Sequence, residues 1–182
     1  MNSDTKIISY LPTFRDKSVN RFIFTCEDNI NNLLEKNDYI IIQKKHPRDK
    51  TKTSNEKCKY IYNSVDLSTQ EILQISDILI TDYSSCAYDF LIKDKPIIHF
   101  LYDHSTYISS EMKLYHDIND IRCGDICYTY DELLKSLESY INNECKDSEL
   151  RLSRKQMFIS RENINNSKNI YNSILKLLEN KK

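Results

Sequence analysis

The chain has 182 residues, is 40% hydrophobic and 29% charged, and carries a net charge of −1 at pH 7. That length suits one domain with a substantial core, and the composition is globular rather than disordered. The near-neutral balance provides no global basic field for nucleic acid, and a single glycine, Gly124, excludes a Gly-rich dinucleotide or P-loop cradle.

Apolar runs and helical patterns alternate along the chain. IISYL (7–11) reads as a strand, NINNLLEKN (29–37) as a helix and DYIIIQKK (38–45) as a second strand, whose three isoleucines suit burial on both faces. A polar loop over 48–57 leads to a short third strand, KYIYN (59–63). Ser68 or Thr69 can cap a short helix with apolar positions at Ile72, Leu73 and Ile75. DILIT (77–81) is a fourth strand, SSCAYDFLIK (84–93) is helical, and PIIHFL (96–101) is a fifth strand with Pro96 at its start. DICYT (125–129) is a candidate sixth strand. Helices are predicted over 131–141, about 148–158 and 167–179. Strands alternating with helices imply βαβ units, a Rossmann-like parallel sheet flanked by helices, in one α/β domain spanning 1–182 with its C-terminal helices at about 131–180.

The opening stretch MNSDTKIISY has no apolar signal core, and no run approaches the roughly 18 apolar residues of a membrane helix. The six cysteines, at 26, 58, 86, 123, 127 and 145, include no C-x-x-C pair. The expectation is a cytoplasmic chain with reduced thiols, several of them core fillers. Cys123 and Cys127 with nearby His116 match no standard zinc spacing, so neither a metal nor a cofactor is expected.

In open parallel α/β sheets, ligands bind outside the carboxyl ends of the strands. Three polar clusters fall there. TDYSS (81–85) ends the fourth strand and opens a helix, whose first N–H groups lack intrahelical partners and whose dipole favours an anion. The hydroxyls of Ser84 and Ser85 can donate to phosphate oxygens, although Ser84 or Asp82 capping its own helix accounts for the same pattern. The second strand runs out into Lys44, Lys45, His46, Pro47 and Arg48. Proline fixes the loop's direction, and the imidazole can donate to phosphate or move a proton; a solvated basic turn is the alternative. The first strand ends in YLPTFRD, where Arg15 can clamp a phosphate or pair with Asp16 at the surface. Their convergence on one rim favours an anionic ligand.

The set YLPTFRD, KKHP and SDILITDYSSCAYDFLIKDKPIIHF, followed by Tyr102 and Asp103, resembles the CDP-glycerol glycerophosphotransferase family of teichoic-acid and capsule polymer enzymes. TDYSS, with Asp89 four residues beyond Ser85, is the most specific element; the likeness runs from about 7 to 107 and more weakly to the C-terminus. The resemblance implies the C-terminal, donor-binding half of a GT-B fold. By that likeness His46 contacts the donor pyrophosphate and supports departure of CMP. Thr81, Ser84 and Ser85 hold phosphate, Arg15 lies near the phosphates, and Asp82 and Asp89 orient the loop or the donor's polar groups. The chain departs from the family pattern in having no tryptophan and so no Trp-His-Gly segment, in MKLY (112–115) where the family has Arg-Gly-Phe-Tyr, and in NINN where it has Asp-Gly.

The expected activity is transfer of glycerol phosphate or ribitol phosphate from a CDP-alditol donor to a polymer or lipid-linked acceptor. A separate acceptor-binding domain or chain would complete the enzyme at the inner face of the membrane. The chain would then be a fragment, a split-gene product or a remnant. Two alternatives stand beside it: a GT-B nucleotide-sugar glycosyltransferase domain, and a non-catalytic nucleotide-binding or interaction module.

Overall fold

A computed structural model describes residues 4–15, 21–46, 58–110, 114–144, 147–159 and 165–179. Among them, six strands form one all-parallel sheet: β1 (Lys6–Leu11), β2 (Tyr39–Gln43), β3 (Ile61–Asn63), β4 (Ile78–Thr81), β5 (Ile97–Phe100) and β6 (Asp125–Cys127). The strand order is β3-β2-β1-β4-β5-β6. Ile8 of β1 pairs with Ile41 on one side and Ile78 on the other. β2, β4 and β5 are buried throughout, which their isoleucine-rich runs suit, and they carry Gln43, Thr81 and His99 into the interior with them.

Side chains alternate across the sheet and split the core into two layers. Ile8, Tyr10, Ile41, Ile78, Ile80, Ile98 and Phe100 face α1 (Asp28–Asn37) and α6 (Tyr130–Ile141), which contribute Ile30, Leu34, Leu133 and Leu137. Leu11, Ile40, Ile42, Leu79 and Ile97 face α2 (Thr69–Ile75) and α3 (Cys86–Phe90), which contribute Ile72, Leu73, Ala87 and Phe90. Both α2 and α6 start on capping boxes, Ser68 with Glu71 and Thr129 with Glu132.

The scarcity of glycine leaves its mark on the turns. α1 ends on Asp38 at φ 55°, and the 3-10 turn Leu91–Lys93 that extends α3 ends on Asp94 at φ 50°. Aspartate is one of the few residues besides glycine that visits this left-handed region at modest cost. Gly124 itself sits where β6 begins against β5: a Cβ there would lie 1.8 Å from the Ile97 carbonyl oxygen. The sole glycine therefore serves strand packing, not a ligand.

Two elements were not anticipated, α4 (His104–Ser110) and α5 (Ile118–Ile121). The first, HSTYISS, is rich in serine and β-branched residues, which are indifferent helix formers, so tertiary packing of Tyr107 sets its shape. The predicted helix over 84–93 is shorter and changes to a 3-10 turn after Phe90. α7 (Ser148–Phe158) and α8 (Asn166–Glu179) are the last elements among the described residues. The expectation of reduced thiols is corrected at one pair: Cys26 and Cys58 are joined by a disulfide, with Cα atoms 5.5 Å apart. Cys86, Cys123 and Cys127 are free and buried, whereas Cys145 lies outside the described residues, as do Asp16, Pro47 and Arg48. No helix among the described residues is long and apolar enough to cross a membrane, and no cluster among them has the ligands for a metal.

Candidate functional site

The chain reverses direction across the sheet between β1 and β4, because β2 and β3 lie on one side of β1 and β4 to β6 on the other. A parallel sheet opens a crevice at such a point, outside the strands' carboxyl ends. The loops that bound it here are Pro12–Arg15 after β1, Lys44–His46 after β2, Asp82–Ser85 after β4 and Leu101–Asp103 after β5.

Asp82 latches two of these loops together. It is 1% exposed, and its carboxylate accepts from the Thr13 N–H at 2.8 and 3.0 Å, from the Thr13 hydroxyl and from the Tyr83 N–H at 2.7 Å. Arg15, also 1% exposed, brings in the third loop. Its Nη2 lies 2.9 Å from Asp82, while Nε and Nη2 donate to the Asp103 carboxylate as a fork at 2.8 and 3.0 Å. Nη1 donates to the Thr13 carbonyl at 3.0 Å. Burial is the largest single influence on Arg15 and lowers its pKa, but the Asp103 hydrogen bond and the charges of Asp82 and Asp103 together carry it above its ordinary value. The guanidinium lies 4.2 Å over the Tyr107 ring, which stacks on Tyr83 at 4.0 Å. Tyr83 in turn shares a hydrogen bond of 2.8 Å between its hydroxyl and His104 Nδ1.

The backbone of the TDYSS turn is fixed from below by His99 on β5. Its Nδ1 lies 2.8 Å from the Asp82 carbonyl, and its Nε2 lies 3.0 Å from the Cys123 N–H. A carbonyl can only accept and an N–H can only donate, so the ring is neutral with its proton on Nδ1. Burial agrees, lowering the His99 pKa.

Beside this latch lies a small pocket, lined by Thr13, Arg15, Arg21, Lys44, Lys45, His46, Tyr102 and neighbouring apolar and amide groups. Its lining includes Arg21, Lys44, Lys45 and His46 beside the ion-paired Arg15, with Lys44 Nζ also donating to the Leu67 carbonyl at 2.6 Å, and no carboxylate among the described residues lines it. Gln43 shapes one wall: its side-chain amide accepts from Phe24 N–H at 2.9 Å and donates to Phe24 carbonyl at 3.1 Å, which holds the strap of residues 21–25 in place. The basic side chains of the lining favour an anion.

The expected site residues divide accordingly. Arg15 and His46 line this pocket, although the Arg15 guanidinium is committed to Asp82 and Asp103; His46 is exposed and packs its ring 5.4 Å from Phe14. Thr81 is fully buried and donates its hydroxyl to the Leu11 carbonyl at 2.7 Å. Ser84 is half-buried and accepts from the Cys86 N–H at 3.4 Å, a weak local cap. Ser85 is exposed at the start of α3 and makes no capping bond with its side chain, and Asp89 is exposed in the first turn. Thr81, Asp82, Ser84, Ser85 and Asp89 do not line the pocket; Asp82 reaches it through Thr13. Sequence reasoning passed over the roles of Asp103, Tyr107 and His99. Only Asp103 offered a signal, as an acid just past the fifth strand.

The chain has relatives among known proteins. Residues 1–176 match the profile of the family described as CDP-glycerol:poly(glycerophosphate) glycerophosphotransferase. The chain is 30% identical over 179 residues to the minor teichoic acid biosynthesis protein GgaB of Bacillus subtilis, covering 94% of this chain and 19% of that one. It is 33% identical over 140 residues to the teichoic acid glycerol-phosphate primase of the same organism, covering 75% of this chain and 36% of the primase. Among solved structures, the wall teichoic acid polymerase TagF superposes with a TM-score of 0.72 at 27% identity over 98% of this chain and 45% of the polymerase. A variant of TagF soaked with CDPG gives 0.69 at the same identity. The chain thus spans less than half the length of these relatives.

Proposed function

The chain belongs to the CDP-glycerol:poly(glycerophosphate) glycerophosphotransferase family, and from that premise we propose that it supplies the donor-binding half of a transferase. The enzyme would move an alditol phosphate from CDP-glycerol or CDP-ribitol to a teichoic acid or capsular polymer acceptor and release CMP. One observation carries this reading: the pocket at the crevice is lined by Arg21, Lys44, Lys45 and His46 and, among the described residues, by no carboxylate. A pyrophosphate is the ligand such a charge distribution attracts.

In this reading His46 hydrogen-bonds the donor pyrophosphate and steadies the charge that grows on the departing CMP. Ser84 and Ser85 turn their hydroxyls to phosphate oxygens, and Asp89 orients the donor's polar groups. Arg15, Thr81 and Asp82 act as positioning residues, because each is buried and spends its polar atoms on neighbouring loops. The base that takes the acceptor's proton would come from the acceptor-binding half. The assembled enzyme would work peripherally at the inner face of the membrane, where lipid-linked acceptors are presented.

A second reading, a binding module without catalysis, is favoured by α8. That helix exposes Ile170, Tyr171, Ile174, Leu177 and Leu178 and buries none of its residues. Calorimetric titration separates the two. The donor reading requires that CDP and CDP-glycerol bind, that UDP binds less well, and that both His46→Ala and Ser84→Ala/Ser85→Ala weaken binding by about ten-fold or more, the loss of one or two charge-assisted hydrogen bonds. A folded wild-type chain that binds none of these nucleotides would transfer the lead to the binding module.

A further inference from the structure

We infer that the Cys26–Cys58 disulfide is a redox-sensitive clasp on the wall of the anion pocket. The pocket's outer wall is the strap 21–25, whose Arg21, Phe22 and Ile23 face the ligand space. The strap is anchored in its middle by the Gln43 amide and by edge-to-face packing of Phe22 and Phe24 with each other and with Tyr10. Its C-terminal end is anchored by Cys26, which is bonded to Cys58, five residues before the pocket residue Asn63. The bridge therefore ties the end of the strap to the segment that leads into β3, whose last residue, Asn63, lines the pocket. The 32-residue separation it closes contains α1, β2 and the basic strand end Lys44–His46.

Reactivity singles out this pair. Cys26 is exposed and Cys58 is half-buried, so a dithiol reductant can reach the bond. The other described cysteines cannot answer the same signal: all three are buried, and burial raises each thiol, to about 12 for Cys123 and Cys127. Exposed disulfides belong to the labile, regulatory class more often than buried ones do. In the reaction, two electrons from the dithiol cleave the Cys26–Cys58 bond, two protons complete the thiols, and the reductant leaves as its own disulfide. The released strap keeps its central anchors and the Arg21 contacts with Arg15 and Phe14 but loses its C-terminal one, and it seats in a fraction of molecules, which reduces apparent affinity by that fraction.

The nucleotide arm of the test rests on the donor-domain reading; the exchange arm does not. The full chain is compared in three states: air-oxidised, reduced with dithiothreitol, and as Cys26→Ser/Cys58→Ser. Alkylation with mass mapping first reports the state of each thiol. Hydrogen exchange is then followed over residues 21–25, and CDP is titrated in each state. The expected result is exchange about ten-fold faster in the reduced chain, a Kd for CDP about five- to ten-fold higher, and a serine variant fixed at the reduced values whatever the reductant. Faster strap exchange with CDP binding in neither state sustains the clasp while removing the donor reading. Free thiols at 26 and 58 in the oxidised chain overturn the inference. Unchanged strap exchange on reduction also overturns it, even where melting temperature falls.

Discussion

Asp103→Asn tests the buried ion cluster that joins three loops at the crevice. Asp103 accepts two N–H groups of Arg15, at 2.8 and 3.0 Å, and both side chains are 5% exposed or less. Asparagine keeps the shape and one acceptor oxygen, but it removes the charge and turns an amide N–H toward a cation. One charge-assisted hydrogen bond is lost, roughly 1.5–3 kcal/mol. The guanidinium then has only Asp82 as a counter-charge; removing a partner of a buried pair outright costs about 3–5 kcal/mol. A loss of about 3 kcal/mol follows for this partial removal. In a domain of this size about 1 kcal/mol moves the melting temperature by about 2–4 °C, so the shift is about 6–12 °C. Urea unfolding gives the free energy, and CDP titration at a temperature where the variant is folded gives the effect on the site. A companion variant, Arg15→Met/Asp82→Asn/Asp103→Leu, removes every charge at once and is expected to recover much of the stability without the binding. A loss below about 1 kcal/mol for Asp103→Asn would refute the reasoning, because it would mean that water already screens the cluster.

Two further outcomes follow from single residues. His99 is neutral and its pKa lies below the ordinary 6.5, with burial the main cause. Its unfolded counterpart takes up a proton as pH falls through about 6.5 while the folded ring does not, so stability is complete above that pH and declines below it, by up to about 1.4 kcal/mol per pH unit. Denaturant midpoints between pH 7 and 5 should show this slope, and His99→Gln should flatten it; an equal slope in the variant would assign the effect elsewhere. Gly124→Ala drives a Cβ to 1.8 Å from the Ile97 carbonyl oxygen and forces β5 and β6 apart. A cost of about 2–3 kcal/mol in urea unfolding is expected, and a neutral result would show that the strand edge yields freely.

How much of this was legible in the sequence depends on the range of the interactions involved. The strands were readable because burial on both faces writes itself as uninterrupted isoleucine and leucine, as in YIIIQ and ILIT. The helix α2 was readable from its capping residue Ser68, whereas Thr129, which caps α6, was read as the end of the sixth strand. α4 was not, since nothing in HSTYISS favours a helix until Tyr107 is laid against Arg15. The rim was legible as a location, because strand ends and polar clusters coincided. The partners were not: Arg15 and Asp103 are 88 residues apart in sequence, and only the sheet order brings them within 2.8 Å. The Cys26–Cys58 pairing was hidden for the same reason.

Burial of Arg15 also changes what the TDYSS turn does. A strand ending in Thr-Asp-Tyr-Ser-Ser suggests a helix N-terminus built for phosphate, with the helix dipole as the source of attraction. α3 has only five α-helical residues before the 3-10 turn, so few aligned peptides stand behind that N-terminus. The full positive charge instead lies on separate loops, at Arg21, Lys44 and Lys45. Asp82 spends its charge inward, on Thr13, Tyr83 and Arg15, and so does not repel an anion at the rim. The turn and the cations thus divide the work: the acid of TDYSS fixes where the loops stand, and the basic strand end sets what they attract. If that division holds, exchanging Lys44 and Lys45 for glutamine should weaken CDP binding and reduce its salt dependence at a smaller cost in stability than the latch variant below, since Lys44 gives up one exposed bond to the Leu67 carbonyl. Asp82→Asn should do the reverse, costing stability first. Equal effects of both changes on both quantities would show that the latch and the pocket are one unit.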